Sequence, residues 1–237
     1  MSTTSLSTFS RPRFYVGMAA FMSLIVLAGF WPTYFGQFLN GIPSRPWVVH
    51  LHGMIFTGWM VLLITQVILA ATGKKQAHRT LGTFGIAYGF LVLAMGVVIS
   101  IAAPVLHVVA GEQTIDAASG FVIIPLGDMV LFAGFFIPAV IYRRRPEIHK
   151  RLMLLATTAL LFAAAGRMSN FIPMPLAVLI WVSPVLLGMA YDKWSRRKVH
   201  PLYFIGLVIL LVGFFRIFLV ESEAWLPIGR AIIRAFA

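Results

Sequence analysis

Apolar runs long enough to cross a bilayer recur along this chain, and nothing else in the sequence limits the fold so strongly. A spanning helix needs about 20 predominantly apolar residues to traverse a hydrocarbon core about 30 Å thick. Hydropathy places seven such spans, at roughly 14–32, 47–72, 80–106, 119–142, 151–169, 172–191 and 201–220, the fifth among the shortest. The expected fold is therefore all-α, with residues 1–237 forming a single transmembrane domain of seven helices. Composition agrees. The chain is 60% hydrophobic and 11% charged, where soluble domains run at about 45–50% and about 25%. Cysteine is absent, which excludes disulfides, iron–sulfur clusters and thiolate metal sites.

The net charge of +12 invites a nucleic-acid reading, but the cations lie between the apolar runs, so topology explains them and no nucleic-acid partner is expected. Arg11, Arg13, Lys74, Lys75, Arg79, Arg143, Arg144, Arg145, Lys150, Arg151, Lys193, Arg196, Arg197 and Lys198 fall on one side. Only Arg45, Arg167, Arg216, Arg230 and Arg234 fall on or towards the other. The positive-inside rule then sets the N-terminus in the cytoplasm and the C-terminus outside, in a bacterial inner membrane. The opening "MSTTSLSTFSRPRF" is polar, then basic, then apolar, like a signal peptide. Without a small-x-small cleavage site it reads as the start of a retained first helix. Three basic turns, "KKQAHRTLG", "RRRPEIHKRLM" and "RRKVHPLYF", share a basic cluster, a histidine and a nearby leucine. They are either three related hairpins or the common look of polar inner turns. The C-terminal "WLPIGRAIIRAFA" reads as a short amphipathic surface helix.

The topology sorts the histidines by depth. His50, His52 and His107 lie at the outer ends of spans, and His78, His149 and His200 at the inner face. The groups are about 30 Å apart, so one mononuclear site cannot draw on both. His50 and His52 point about 200° apart on a regular helix. His52 shares a stripe with Trp59 and Gln66, which points it into the bundle, while His50 reads as interfacial trim. His78 precedes Gly85, Gly89 and Gly96 on one face, and His149 sits above Ala156, Ala163 and Ala164. Small-residue faces admit a neighbouring helix or a flat macrocycle. His78 and His149 are thus candidate axial ligands of a b-type haem, or ordinary turn residues over packed helices. Asp128 lies about 14 Å inside the fourth span, where a carboxylate is costly unless protonated or paired. Arg167 is its expected partner, with Arg216 as runner-up. No phosphate-binding loop, HExxH pair or Ser–His–Asp spacing is present.

The ordered motifs "HLHGMIFTGWMVLLITQVIL", "HRTLG" and "HKRLMLLAT" followed by Arg167 resemble a family of uncharacterised bacterial multi-span membrane proteins, over residues 47 to about 168. That resemblance implies no established reaction. A looser similarity is to the di-haem membrane cytochromes b, which carry histidine pairs on non-adjacent spans. It implies haem b between His78 and His149. The outer histidine pair of those proteins has no counterpart, since the fourth span offers Asp128 instead. Seven spans with scattered histidines also resemble the zinc-dependent hydrolases of the ceramidase and progestin–adiponectin receptor group, without their histidine pair on the last span.

The leading expectation is a membrane redox protein of cytochrome b type. His52, Gln66, Asp128 and Arg167 would form an outer polar site for a quinol, a metal or haem propionates, and a respiratory-complex subunit is the natural partner. One alternative is a cofactor-free transporter or channel whose path runs through His52, Asp128, Arg167 and Gln66; Arg216 is a further candidate polar-site residue. The other is a metal-dependent hydrolase holding zinc between His50 or His52, His107 and Asp128.

Overall fold

A computed structural model describes residues 11–237; the polar segment before Arg11 lies outside the described residues. All secondary structure among them is helical. The elements are α1 (Arg11–Phe30), α2 (Trp47–Ala71), α3 (Lys75–Val109), α4 (Ile115–Phe121), α5 (Ile123–Ile141) and α6 (Pro146–Leu160). They continue with α7 (Phe162–Met168), α8 (Met174–Arg196), α9 (Pro201–Phe214) and α10 (Leu226–Phe236). Six helices, counting α4–α5 as one, are long and apolar enough to cross a membrane. The bent pair α6–α7 makes a seventh if it is one crossing. The expected all-α bundle is present, with a break in its fifth span.

The outer faces expose large apolar side chains, among them Leu24, Val61, Phe90, Val130, Leu179 and Val208. A soluble protein would hide such a surface, and a bilayer accepts it. The helix α6 is different. From Leu154 to Ala159 every residue is buried, because "LLATTA" is small or compact on all sides and neighbouring helices can close around it. The helix α6 packs against α5, α8 and α9, and reaches α2 where the Trp59 indole donates to Thr157 (3.4 Å).

The 40° bend between α6 and α7 has a local cause. Leu161 N–H bonds back three residues to the Thr158 carbonyl (3.1 Å), and the buried Trp181 indole donates to the same oxygen (2.9 Å). A side chain inserted into the backbone ladder at a tight turn bends a helix without proline. The C-terminal α10 packs on α4 and α3. Gly229 lies against the Ser119 backbone, Trp225 donates to the Ser119 carbonyl (2.9 Å), and Arg230 grips Asp116 through two bonds of 2.7 and 2.9 Å. The two ends of the bundle are called here the basic end, which carries the turns at 72–75, 142–146 and 197–200, and the far end.

Candidate functional site

Four helices define the space around the inner histidines. The helices α2 and α3 are packed neighbours, as are α3 and α5, and α5 and α6. The ring centre is aromatic: Trp59 meets Phe132 and Phe136 edge-on at 5.5 and 5.7 Å, and those two rings stack at 5.2 Å. At the basic end of this ring stand His78, on the first turn of α3, and His149, on the first turn of α6. His149 Nδ1–H donates to the Ala139 carbonyl of α5 (2.8 Å). His78 Nδ1 lies 3.2 Å from the Gln66 carbonyl of α2. With its nitrogen turned towards His78, the Gln66 amide instead donates to Nδ1 (2.5 Å), making Nδ1 an acceptor, and its oxygen accepts from Gly82 N–H (2.8 Å). Either way Nδ1 is the engaged nitrogen in both rings. Neither Nε2 has a hydrogen-bond partner among the described residues, and neither is sealed by packing. The two imidazoles are close enough for their charges to interact.

An imidazole that donates through Nδ1–H to a carbonyl presents Nε2 as a ligand; His149 does so on Ala139, and His78 does so where its Nδ1–H donates to the Gln66 carbonyl. The ligand chemistry therefore suits a haem iron. The glycine face does not offer the room expected of it. A Cβ at Gly89 would run into the Phe136 ring and one at Gly96 into Met129, so α5 side chains occupy the stripe. The alanine face is also taken: Ala164 backbone atoms lie directly against Gly29 of α1. Only Gly82 and Gly85, nearest His78, meet ordinary contacts, at 3.7 and 3.4 Å. Free volume lies beside them instead. A cavity of about 350 Å³ is lined by Tyr15, Met18 and Met22 of α1, Gln66 of α2, and Lys150 and Met153 of α6, with others.

The residues expected at the outer site do not converge. Asp128 pairs with Arg216, and not with Arg167 as the sequence suggested. The Arg216 guanidinium bonds the Asp128 carboxylate directly, with Arg216 Nε on the Ile124 carbonyl (3.1 Å) and the Phe162 ring 4.7 Å beneath it. The reason is azimuth: α5 packs against the end of α9, whereas α7, which carries Arg167, packs against α1 and α8. Gly127 provides the gap through which the Arg216 methylenes pass. Gln66 lies 14 residues along α2 from His52, about 21 Å away by helix rise, and belongs with His78. His50 is fully engaged, accepting from the Tyr34 hydroxyl (2.9 Å) and donating to the Pro43 carbonyl (3.2 Å). His107 is partnered by Glu112 at 2.5 Å near the end of α3. Among the described residues no three of His, Asp or Glu gather where a metal could bind. This leaves His52, tilted against Phe56 at 4.2 Å, and Arg167.

A fourth cluster was not legible as a site. Arg151, fully buried, forks onto Asp192 with bonds of 2.6, 2.6 and 3.1 Å and lies over Tyr203. Glu147 joins it (2.9 Å), and Arg196 joins Glu147. In the sequence Arg151 is one of many cations on the basic side. Its only signal is Asp192, an acid amid the cations that end α8. His200 caps α9 through Leu202 N–H (3.2 Å), and burial, with Arg151 nearby, lowers its proton affinity.

The fold defines a helical bundle with the length and apolarity of a multi-pass membrane protein. Comparison with known proteins adds no identity, since no family model, curated protein or solved structure matches the chain.

Proposed function

We propose that this chain is a membrane redox protein of cytochrome b type, with His78 and His149 as the axial ligands of one b-type haem. One observation carries the reading: two imidazoles on helices that both pack against α5, each tied through Nδ1 to a neighbouring helix and each with Nε2 free. Haem, when bound, supplies reversible one-electron chemistry at a bis-imidazole iron. The Ala139 and Gln66 carbonyls orient the rings. Lys150, paired with Glu147 (3.0 Å) in the lining of the adjacent cavity, is the nearest cation to a propionate. The basic end faces the cytoplasm of a bacterial cell, and a quinol or a respiratory-complex subunit exchanges the electrons.

The test is a visible spectrum of detergent-purified protein, oxidised and then dithionite-reduced, with metal analysis on the same sample. The expected result is a Soret band, a sharp reduced α-band and stoichiometric iron, with loss of the α-band in both His78→Ala and His149→Ala. A colourless protein from haem-replete cells overturns the reading and favours the cofactor-free transporter.

A further inference from the structure

Three arginines sit within or at the ends of the spans, and their seats are built alike. Arg151 has an aromatic face (Tyr203, 5.4 Å), a backbone carbonyl one turn back (Glu147, 2.6 Å) and carboxylates. Arg216 has Phe162 at 4.7 Å, the Gly213 carbonyl at 2.6 Å and Asp128. Arg167 has the first two parts: Phe30 at 4.3 Å, and the Ala163 carbonyl at 2.9 Å from Nη1. The chain supplies no third. Of its seven acids, Asp116, Asp128, Asp192, Glu112 and Glu147 are committed to other partners. Glu221 and Glu223 are exposed and form no ion pair with it. Nε and Nη2 of Arg167 therefore have no acceptor among the described residues.

A second observation lies beside it. His52 Nδ1 is buried and has no hydrogen-bond partner, although a buried polar nitrogen left unpaired costs roughly 1–3 kcal/mol. Gly53, next to His52, lies against the Tyr34 ring just beyond the end of α1, and Arg167 lies over Phe30 at that same end. The helices that carry the two residues, α7 and α2, both pack against α1, whose last residue is Phe30. A partly buried cation with open donors, at the same end of α1 as a buried histidine that can donate, is a receptor for an oxygen anion.

We propose that Arg167 and His52, over Phe30 and Phe56, form a binding site at the far end of α1, α2 and α7 for an oxyanion, a phosphate or carboxylate. The anion is carried either by a lipid headgroup or by a soluble molecule. Arg167 takes it through Nε and Nη2, and His52 donates from Nδ1. The site is separate from His78 and His149, which lie at the other end of the bundle, so its failure leaves the haem reading untouched.

The experiment follows thermal unfolding of the purified protein by tryptophan fluorescence in neutral detergent at fixed ionic strength. One arm adds phosphatidylglycerol in mixed micelles, the other inorganic phosphate. Expected is a saturable rise in Tm, about 5 °C at a hundredfold excess over half-saturation. A response to lipid alone assigns the anion to a headgroup, and a response to both assigns it to the free oxyanion as well. Arg167→Gln abolishes the shift without lowering the Tm measured in the absence of anion, whereas Arg167→Lys keeps part of it. Arg45→Gln, an exposed far-end cation outside the site, keeps all of it. His52→Gln serves if Arg167→Gln does not fold, and raises the half-saturating concentration about tenfold. A wild type that responds to neither arm overturns the proposal. So does an Arg167→Gln or His52→Gln response equal to wild type.

Discussion

Asp128 and Arg216 each sit in a place where neither could be charged alone. The carboxylate is 5% exposed and the guanidinium 8%, and both lie in spans. Removing one partner of a buried pair typically costs about 3–5 kcal/mol, because the other charge is stranded, while replacing both with apolar side chains is close to neutral. Asp128→Leu and Arg216→Met should therefore each lower Tm sharply in detergent, and the double variant should recover most of the loss. Asp128→Asn combined with Arg167→Gln should instead be additive within about 0.5 kcal/mol, since the two sites share no partner. Strong coupling between 128 and 167 would mean that the pairing found here is wrong. The sequence located Asp128 by depth and identified its need for a cation, because hydropathy reports depth well. It favoured Arg167 over Arg216 because depth says nothing of azimuth, and two cations near the far end look alike until helix neighbours are known. His52 was singled out from its stripe, and Arg151–Asp192 escaped notice, for the same reason.

Hydropathy reads contact with lipid, and this explains which elements were legible. The helices α2, α3, α5 and α9 face lipid with long apolar rows and were placed to within a few residues. The helix α6 is enclosed by α5, α8 and α9 and has no need to be strongly apolar, so its span read among the shortest. The bend after Leu160 left no proline to reveal it, since its cause, the Trp181 indole, lies on another helix. Small residues at such contacts set how closely elements approach. At Gly29 a Cβ would lie 2.8 Å from Ala164 Cα and 2.7 Å from its carbonyl carbon, backbone that cannot rotate away. At Gly17, on the same helix, it would meet nothing within 4 Å. Gly29→Leu should push α1 from α7 and lower Tm by several degrees, the usual result of overpacking at about 1–3 kcal/mol. Gly17→Leu should leave Tm unchanged or raise it through helix propensity. Equal effects at the two positions would show that α1 and α7 are not in this close contact.

The whole molecule turns on whether α6 and α7 together make one crossing. Fifteen residues of α6 and seven of α7, with Leu161 between them and a 40° bend, still advance roughly 30 Å along one direction, enough for the hydrocarbon core. A bend of that size deflects a helix and does not return it to the side it came from. If the pair is one crossing, the count is odd and residues 11 and 237 lie on opposite sides. On that count every turn at the basic end would fall on one side of the membrane, and 43–46, 110–114 and 220–225 on the other. The protein has no cysteine, so a single introduced thiol reports its own side without background. Lys75→Cys, Arg144→Cys and Lys198→Cys, all exposed, should react with an impermeant maleimide only after cells are permeabilised. Ser44→Cys, Glu112→Cys and Glu223→Cys, exposed at the far end, should react in intact spheroplasts. The reverse pattern would invert the orientation that the basic residues dictate. If α6–α7 instead re-entered, everything after it would change sides: Lys198→Cys would label with Ser44→Cys, and Glu223→Cys would be protected. That pattern would also move Arg167 away from the far end, and with it the oxyanion site shared with His52.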